Sequence, residues 1–137
     1  MKKTTLLAAT LLAPFALLAD TPDWTAYAKS FDITFPGYTG ETTLTNFPVL
    51  VRLSSSRNNF DYSKCQANGA DLRFSDAAGN LLSHEIDTWD TTGESLVWVK
   101  VPRLTSSAKI TARYGYTGGG QQPADLLDHK TEFLPSR

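Results

Sequence analysis

DLRFSD (Asp71–Asp76), HEIDTWD (His84–Asp90), SLVWVKVP (Ser95–Pro102) and ARYGY (Ala112–Tyr116) follow one another at short intervals, and their reading decides the fold class. In the third segment Val97, Val99 and Val101 share one face, while Leu96, Trp98 and Lys100 share the other. That two-residue period belongs to a strand, because successive side chains of extended backbone point to opposite sides. Pro102 ends the strand, having no N–H for a ladder. By the same period Ile110, Ala112, Tyr114 and Tyr116 form the inner face of the last strand, with Thr111 and Arg113 outside. Leu72 and Phe74 point inward from the first segment. Asp76 to Asn80 then makes a hairpin turn, with Gly79 where φ must be positive, and Leu81 to Thr88 returns as the partner strand.

The first half reads the same way with weaker signals. Phe31, Ile33 and Phe35 alternate with Asp32 and Thr34, and Pro36-Gly37 turns the chain. Gly40 to Leu44 is a weaker strand, separated by Asn46 and Pro48 from an inner strand, Phe47 to Leu53. A loop rich in Ser, Asn and Gly fills Ser54 to Ala70, and Phe60 and Tyr62 are expected to plug it onto the body, since a long structureless loop is unusual in a compact domain. No apolar helical repeat lies between the strands. The expected fold is all-β, an antiparallel two-sheet β-sandwich, jelly-roll-like, of about seven to eight strands, preceded by a signal-peptide helix.

That leader is read at residues 1–19. Lys2 and Lys3 precede an apolar run from Leu6 to Leu18, too short to span a bilayer, and Leu-Leu-Ala at 17–19 suits cleavage after Ala19. The chain is expected to be exported, periplasmic or extracellular, with no membrane insertion after cleavage. Residues 20–116 form the sandwich. Residues 117–137 read as a flexible Gly-rich linker and tail. Without Lys2 and Lys3 the charge falls from −1 to −3, and the arginines are scattered among acids, so nucleic acid is not an expected partner. Cys65 is the only cysteine, which rules out an intrachain disulfide, and with no histidine near it in sequence it reads as a packed loop residue.

Three residue groups are candidates for chemistry. Glu85 and Asp87 fall on one side of a strand, about 7 Å apart, within the ~5 to ~9.5 Å over which paired carboxyls cleave glycosides. A solvated outer face of the sheet is the preferred reading of the pair, ahead of catalysis. Asp87, Asp90 and Glu94 gather hard oxygen donors near a turn, as a calcium site requires, but without the order of an EF-hand loop. They are weak metal candidates; no metal and no cofactor is expected. Trp89 and Trp98, with Glu85 and Asp87 beside them, are the ligand-binding candidates: an exposed indole stacks on a pyranose while carboxylates accept its hydroxyls. Each tryptophan also fits a core position.

The phrases LTNFPVLVRLSS, ADLRFSDAAGNLLSHEIDTWD and SLVWVKVPRLTSSAKITARYGY, over about Trp24 to Tyr116, resemble the bacterial domain of unknown function 2341. The resemblance rests on Phe47-Pro48-Val49, Asp71-x-Arg73-Phe74, Glu85-Ile86-x-x-Trp89 and Trp98-Val99-Lys100-Val101-Pro102 occurring in that order. It implies an exported or envelope protein, of a kind found beside concanavalin A-like lectin or glucanase modules or before a MotA/TolQ/ExbB-type channel segment. It carries no activity onto individual residues. The preferred expectation is a noncatalytic module, a binding or structural domain that recognises a polysaccharide or an envelope protein or spaces other modules. The alternatives are a glycoside-cleaving enzyme using Glu85/Asp87, or an accessory domain of a TolQ/ExbB-type transport system.

Overall fold

Residues 22–119 are described by the computed structural model; residues 1–21, where the leader is expected, and 120–137, the rest of the expected tail, lie outside them. Seven strands form: β1 (Tyr27–Thr34), β2 (Leu44–Leu53), β3 (Arg73–Asp76), β4 (Leu81–Leu82), β5 (His84–Thr88), β6 (Ser95–Leu104) and β7 (Lys109–Tyr116). They build a four-stranded sheet of order β1-β7-β3-β4 and a three-stranded sheet of order β2-β6-β5, all pairs antiparallel. The two-sheet sandwich read from the sequence is the observed architecture.

The core lies where the alternating stripes meet. Val49, Val51 and Leu53 of β2 and Val97, Val99 and Val101 of β6 face Phe74, Ile110, Ala112 and Tyr114 of the other sheet. Each fully buried Val, Leu or Phe contributes about 1.5–3 kcal/mol. Phe60 is buried at the centre of an aromatic group, with Tyr114 at 4.4 Å, Tyr62 at 4.9 Å and Trp89 at 6.1 Å between ring centroids. It pins the long loop as the pattern predicted. Short helical turns, including α1 (Ser55–Asn58) capped by Ser54, satisfy that loop's backbone.

Several expectations change. Leu81 to Thr88 is not one strand: at Ser83 the chain leaves the four-stranded sheet as β4 and enters the other as β5. No strand forms over Gly40–Thr43, and β2 runs through Asn46 and Pro48 as an edge strand rather than an inner one. The proline is tolerated for a geometric reason. Lys100 N–H donates to Ser83 O on the β5 side at 2.9 Å, so its β2 partner Pro48 turns its nitrogen to the open edge, where no ladder bond is lost. At Gly115, φ +73° interrupts the alternation, and Tyr116 leaves the inner face to pack on Tyr27 at 5.2 Å. Thr117, assigned to the linker, still donates its N–H to Ala26 O at 2.8 Å.

Phe74 of β3 points into the core as the pattern predicted, and the opposite side of the strand is buried as well. Its outer positions Arg73 and Ser75 lie beneath a second layer. There the Arg113 guanidinium donates to Ser75 Oγ and stacks 4.5 Å over Trp24, whose Nε1 donates to Gly79 O at 2.9 Å. Just ahead of β3, Asp71 is wholly buried. Its Oδ1 accepts from Gln66 N at 2.8 Å and its Oδ2 from Gly115 N at 2.8 Å and Tyr116 N at 2.9 Å. One carboxylate thus ties the loop to the end of β7.

Candidate functional site

Antiparallel register decides which side chains stand together on the outer face of β2–β6–β5. Directly opposed residues point to the same side. Trp98 in the middle of β6 is opposed by Leu50 on β2 and by Glu85 on β5, giving one cross-strand row Leu50–Trp98–Glu85. Pro48–Lys100 lies on one side of it and Arg52–Leu96–Thr88 on the other. Leu50 is 43 % exposed, one of the two large exposed hydrophobic residues; Phe47, also on β2, is the other. Trp98 and Glu85 are half-buried, and Trp98 does not belong to the core cluster.

Hydrogen bonding separates this row from its surroundings. Among the described residues neither the Glu85 carboxylate nor the Trp98 Nε1 has a hydrogen-bond or ion-pair partner. An aromatic plate, an aliphatic neighbour, a free acceptor and a free donor therefore stand side by side on an outward-facing sheet. That combination suits a flat, hydroxyl-rich molecule: the ring takes an apolar face, and the carboxylate accepts hydroxyl protons.

The other sequence candidates are dispersed. Trp89 sits at the end of the same hairpin, but its ring is edge-on to Tyr62 at 5.3 Å and to Phe60 at 6.1 Å, and it lies over Gly69. It belongs to the aromatic plug and not to a platform with Trp98. Asp87 does not share the Glu85 face by simple alternation, because a bulge interrupts the register between Ile86 and Thr88. It is exposed and accepts from Thr88 Oγ1 at 3.0 Å. His84 and Ile86 point inward, His84 packing 5.3 Å from the Phe74 ring.

The suggested calcium ligands serve other ends. Asp90 Oδ1 accepts from Thr92 N at 2.8 Å, Thr92 Oγ1 at 2.9 Å and Gly93 N at 3.0 Å, closing the turn between β5 and β6. Those bonds, the Thr92 backbone first, hold its carboxyl below the usual range. Glu94 is gripped by Arg52 at 2.6 Å and Arg57 at 3.1 Å, which lower its pKa, Arg52 most. Among the described residues no group of three or more His, Cys, Asp or Glu converges as a metal site requires. Cys65 is half-buried, and burial, with Asp71 and Asp61 adding to it, pushes its thiol up to about 12. Its sulfur is a protonated packing group, not a nucleophile.

Leu50 was not singled out in the sequence. The signal was present, since it alternates with Val49 and Val51, but only the register with Trp98 gives it meaning.

Residues 68–125 match the family model described as Domain of unknown function (DUF2341). Over that stretch the chain is similar to the DUF2341 family. No curated protein and no solved structure gives a significant match. The DUF2341 segment holds β3 to β7, and with them Trp98, Glu85 and the Asp71 tie; Leu50 comes from β2, ahead of it. The residues of this segment singled out in the sequence therefore divide by role. Asp71, Arg73, Phe74, Ile86 and Trp89 are held by buried or packed contacts, and Glu85, Trp98 and Lys100 face outward on the three-stranded sheet.

Proposed function

We propose that this chain is an exported, noncatalytic β-sandwich module that binds glycan through the outer face of β2–β6–β5. The observation carrying the reading is the half-exposed Trp98 with an uncommitted Nε1, set between Leu50 and an uncommitted Glu85. A pyranose presents apolar C–H groups on its ring face and hydroxyls at its rim. Trp98 and Leu50 match the first, Glu85 and the indole N–H the second. Such a surface binds a cell-envelope or extracellular polysaccharide. The leader-like residues 1–19 support export, and no helix among the described residues is long and apolar enough to cross a membrane.

The test is retention of the exported chain on a panel of insoluble and soluble polysaccharides, compared with Trp98→Ala. Loss of the stacking ring removes about 0.5–1.5 kcal/mol together with the apolar burial the ring makes on the sugar, so a weakening of about tenfold is expected. Unchanged binding by Trp98→Ala, or no retention on any glycan, removes the reading. Release of new reducing ends during the same incubation, abolished by Glu85→Gln, would replace it with a glycoside-cleaving function.

A further inference from the structure

We infer that the glycan taken by this face is an uncharged, extended pyranose chain laid across the strands, with Leu50 and Trp98 as successive ring contacts. The inference rests on the glycan reading above and adds direction and ligand class to it. Direction follows from spacing. Neighbouring strands lie about 4.8 Å apart, close to the advance of one ring in an extended 1,4-linked chain. Along β6 the next residues on the same face, Leu96 and Lys100, are each about 6.8 Å from Trp98, too far for consecutive rings to stack in register. Across the strands the row is continuous: Leu50 on β2, Trp98 on β6, Glu85 on β5.

Charge fixes the class. At the β5 end the row closes on Glu85, with the exposed Asp87 next along the strand. Two cations stand one row away on either side: Arg52 is already paired with Glu94 at 2.6 Å, and Lys100 is not without a partner of its own. A carboxylated or sulfated sugar over Trp98 would meet the Glu85 carboxylate with no counter-charge in the row. A neutral sugar instead donates hydroxyl protons to it. The row therefore selects against uronates and sulfated sugars as well as for neutral ones.

Calorimetry with cello-, xylo- and chito-oligosaccharides of one to six rings, against oligouronates of equal length, tests the inference on the exported chain. Affinity for the best neutral series is expected to rise from one ring to two, and Leu50→Ser to cancel that rise, about fivefold, with a smaller loss for the single ring, which Trp98 holds. Glu85→Gln is expected to narrow the gap between uronate and neutral ligands by about tenfold. Leu50 is exposed, so Leu50→Ser is expected to keep the parent melting temperature, and Leu50→Ala serves as a second variant. Equal binding of uronates and neutral chains by the parent, or equal loss in Leu50→Ser at every length, overturns this inference and leaves the glycan reading intact. Binding that does not depend on Trp98 overturns both.

Discussion

Replacing Asp71 by Asn tests the structural account at its most constrained polar group. The parent carboxylate, wholly buried, accepts three backbone N–H groups, one on Oδ1 and two on Oδ2. An asparagine keeps one acceptor. In its best orientation the amide oxygen retains Gly115 and Tyr116, and the new NH2 faces the Gln66 N–H, leaving two donors opposed. Hydrogen bonds to a charged acceptor contribute about 1.5–3 kcal/mol, and a buried donor left unmade costs about 1–3 kcal/mol. The loss of the Gln66 bond and the weakening of the other two then sum to about 3 kcal/mol. For a domain of this size that lowers the melting temperature by roughly 12–24 °C. Asp71→Ala, which orphans all three donors, is expected to approach the entire stability of a small domain, about 5–15 kcal/mol. The assay is urea unfolding followed by tryptophan fluorescence, with the midpoint falling and the slope unchanged. A loss below 1 kcal/mol for both variants would refute the buried tie.

Three further outcomes are expected. Gly69→Ala combines positive φ (+71°) with a Cβ placed 2.6 Å from the Trp89 ring, and is expected to cost about 2–4 kcal/mol in the same unfolding assay. Trp89→Ala empties part of the aromatic plug and should cost about 3–5 kcal/mol, with the glycan affinity of the remaining folded fraction unchanged in calorimetry. Cys65, with its thiol pushed up to about 12, should be alkylated by iodoacetamide at pH 8 on the order of a hundredfold more slowly in the folded than in the urea-unfolded chain. Because the folded pKa is raised, the stabilisation is fully present below the unfolded thiol's value and is lost as pH rises through that of the folded one. Unfolding at stepped pH from 8 to 12 should show stability falling over that window, and a Cys65→Ser chain should lose less.

Legibility followed burial on one face. The valine stripe of β6 and the Ile110, Ala112 and Tyr114 stripe of β7 were readable, because each strand has one wet side and period two survives. In β3 the inward Phe74 was readable but the burial of the second side was not, since Trp24 and Arg113 cover it from far away in the chain. The change of sheet at Ser83 left no mark either, as β4 and β5 are both extended and only tertiary pairing divides them. Asn46 and Pro48 looked like breakers because propensity does not know that β2 is an edge with Pro48 turned outward. At the site, Trp98 and Glu85 were named from residue type and from the strand face that alternation gives each. Their adjacency, the role of Leu50 and the removal of Trp89 into the loop plug depend on cross-strand register and on Phe60, which no local pattern encodes.

The most direct test of the account is a paired comparison of Trp98→Ala and the parent chain on the glycan that retains the parent best, with melting temperature recorded for both. The account predicts an affinity about tenfold lower at a melting temperature within a few degrees of the parent, since the ring stands outside the core. Equal affinity, or a collapse of the fold that places the Trp98 indole among the supports of the sandwich, would contradict it.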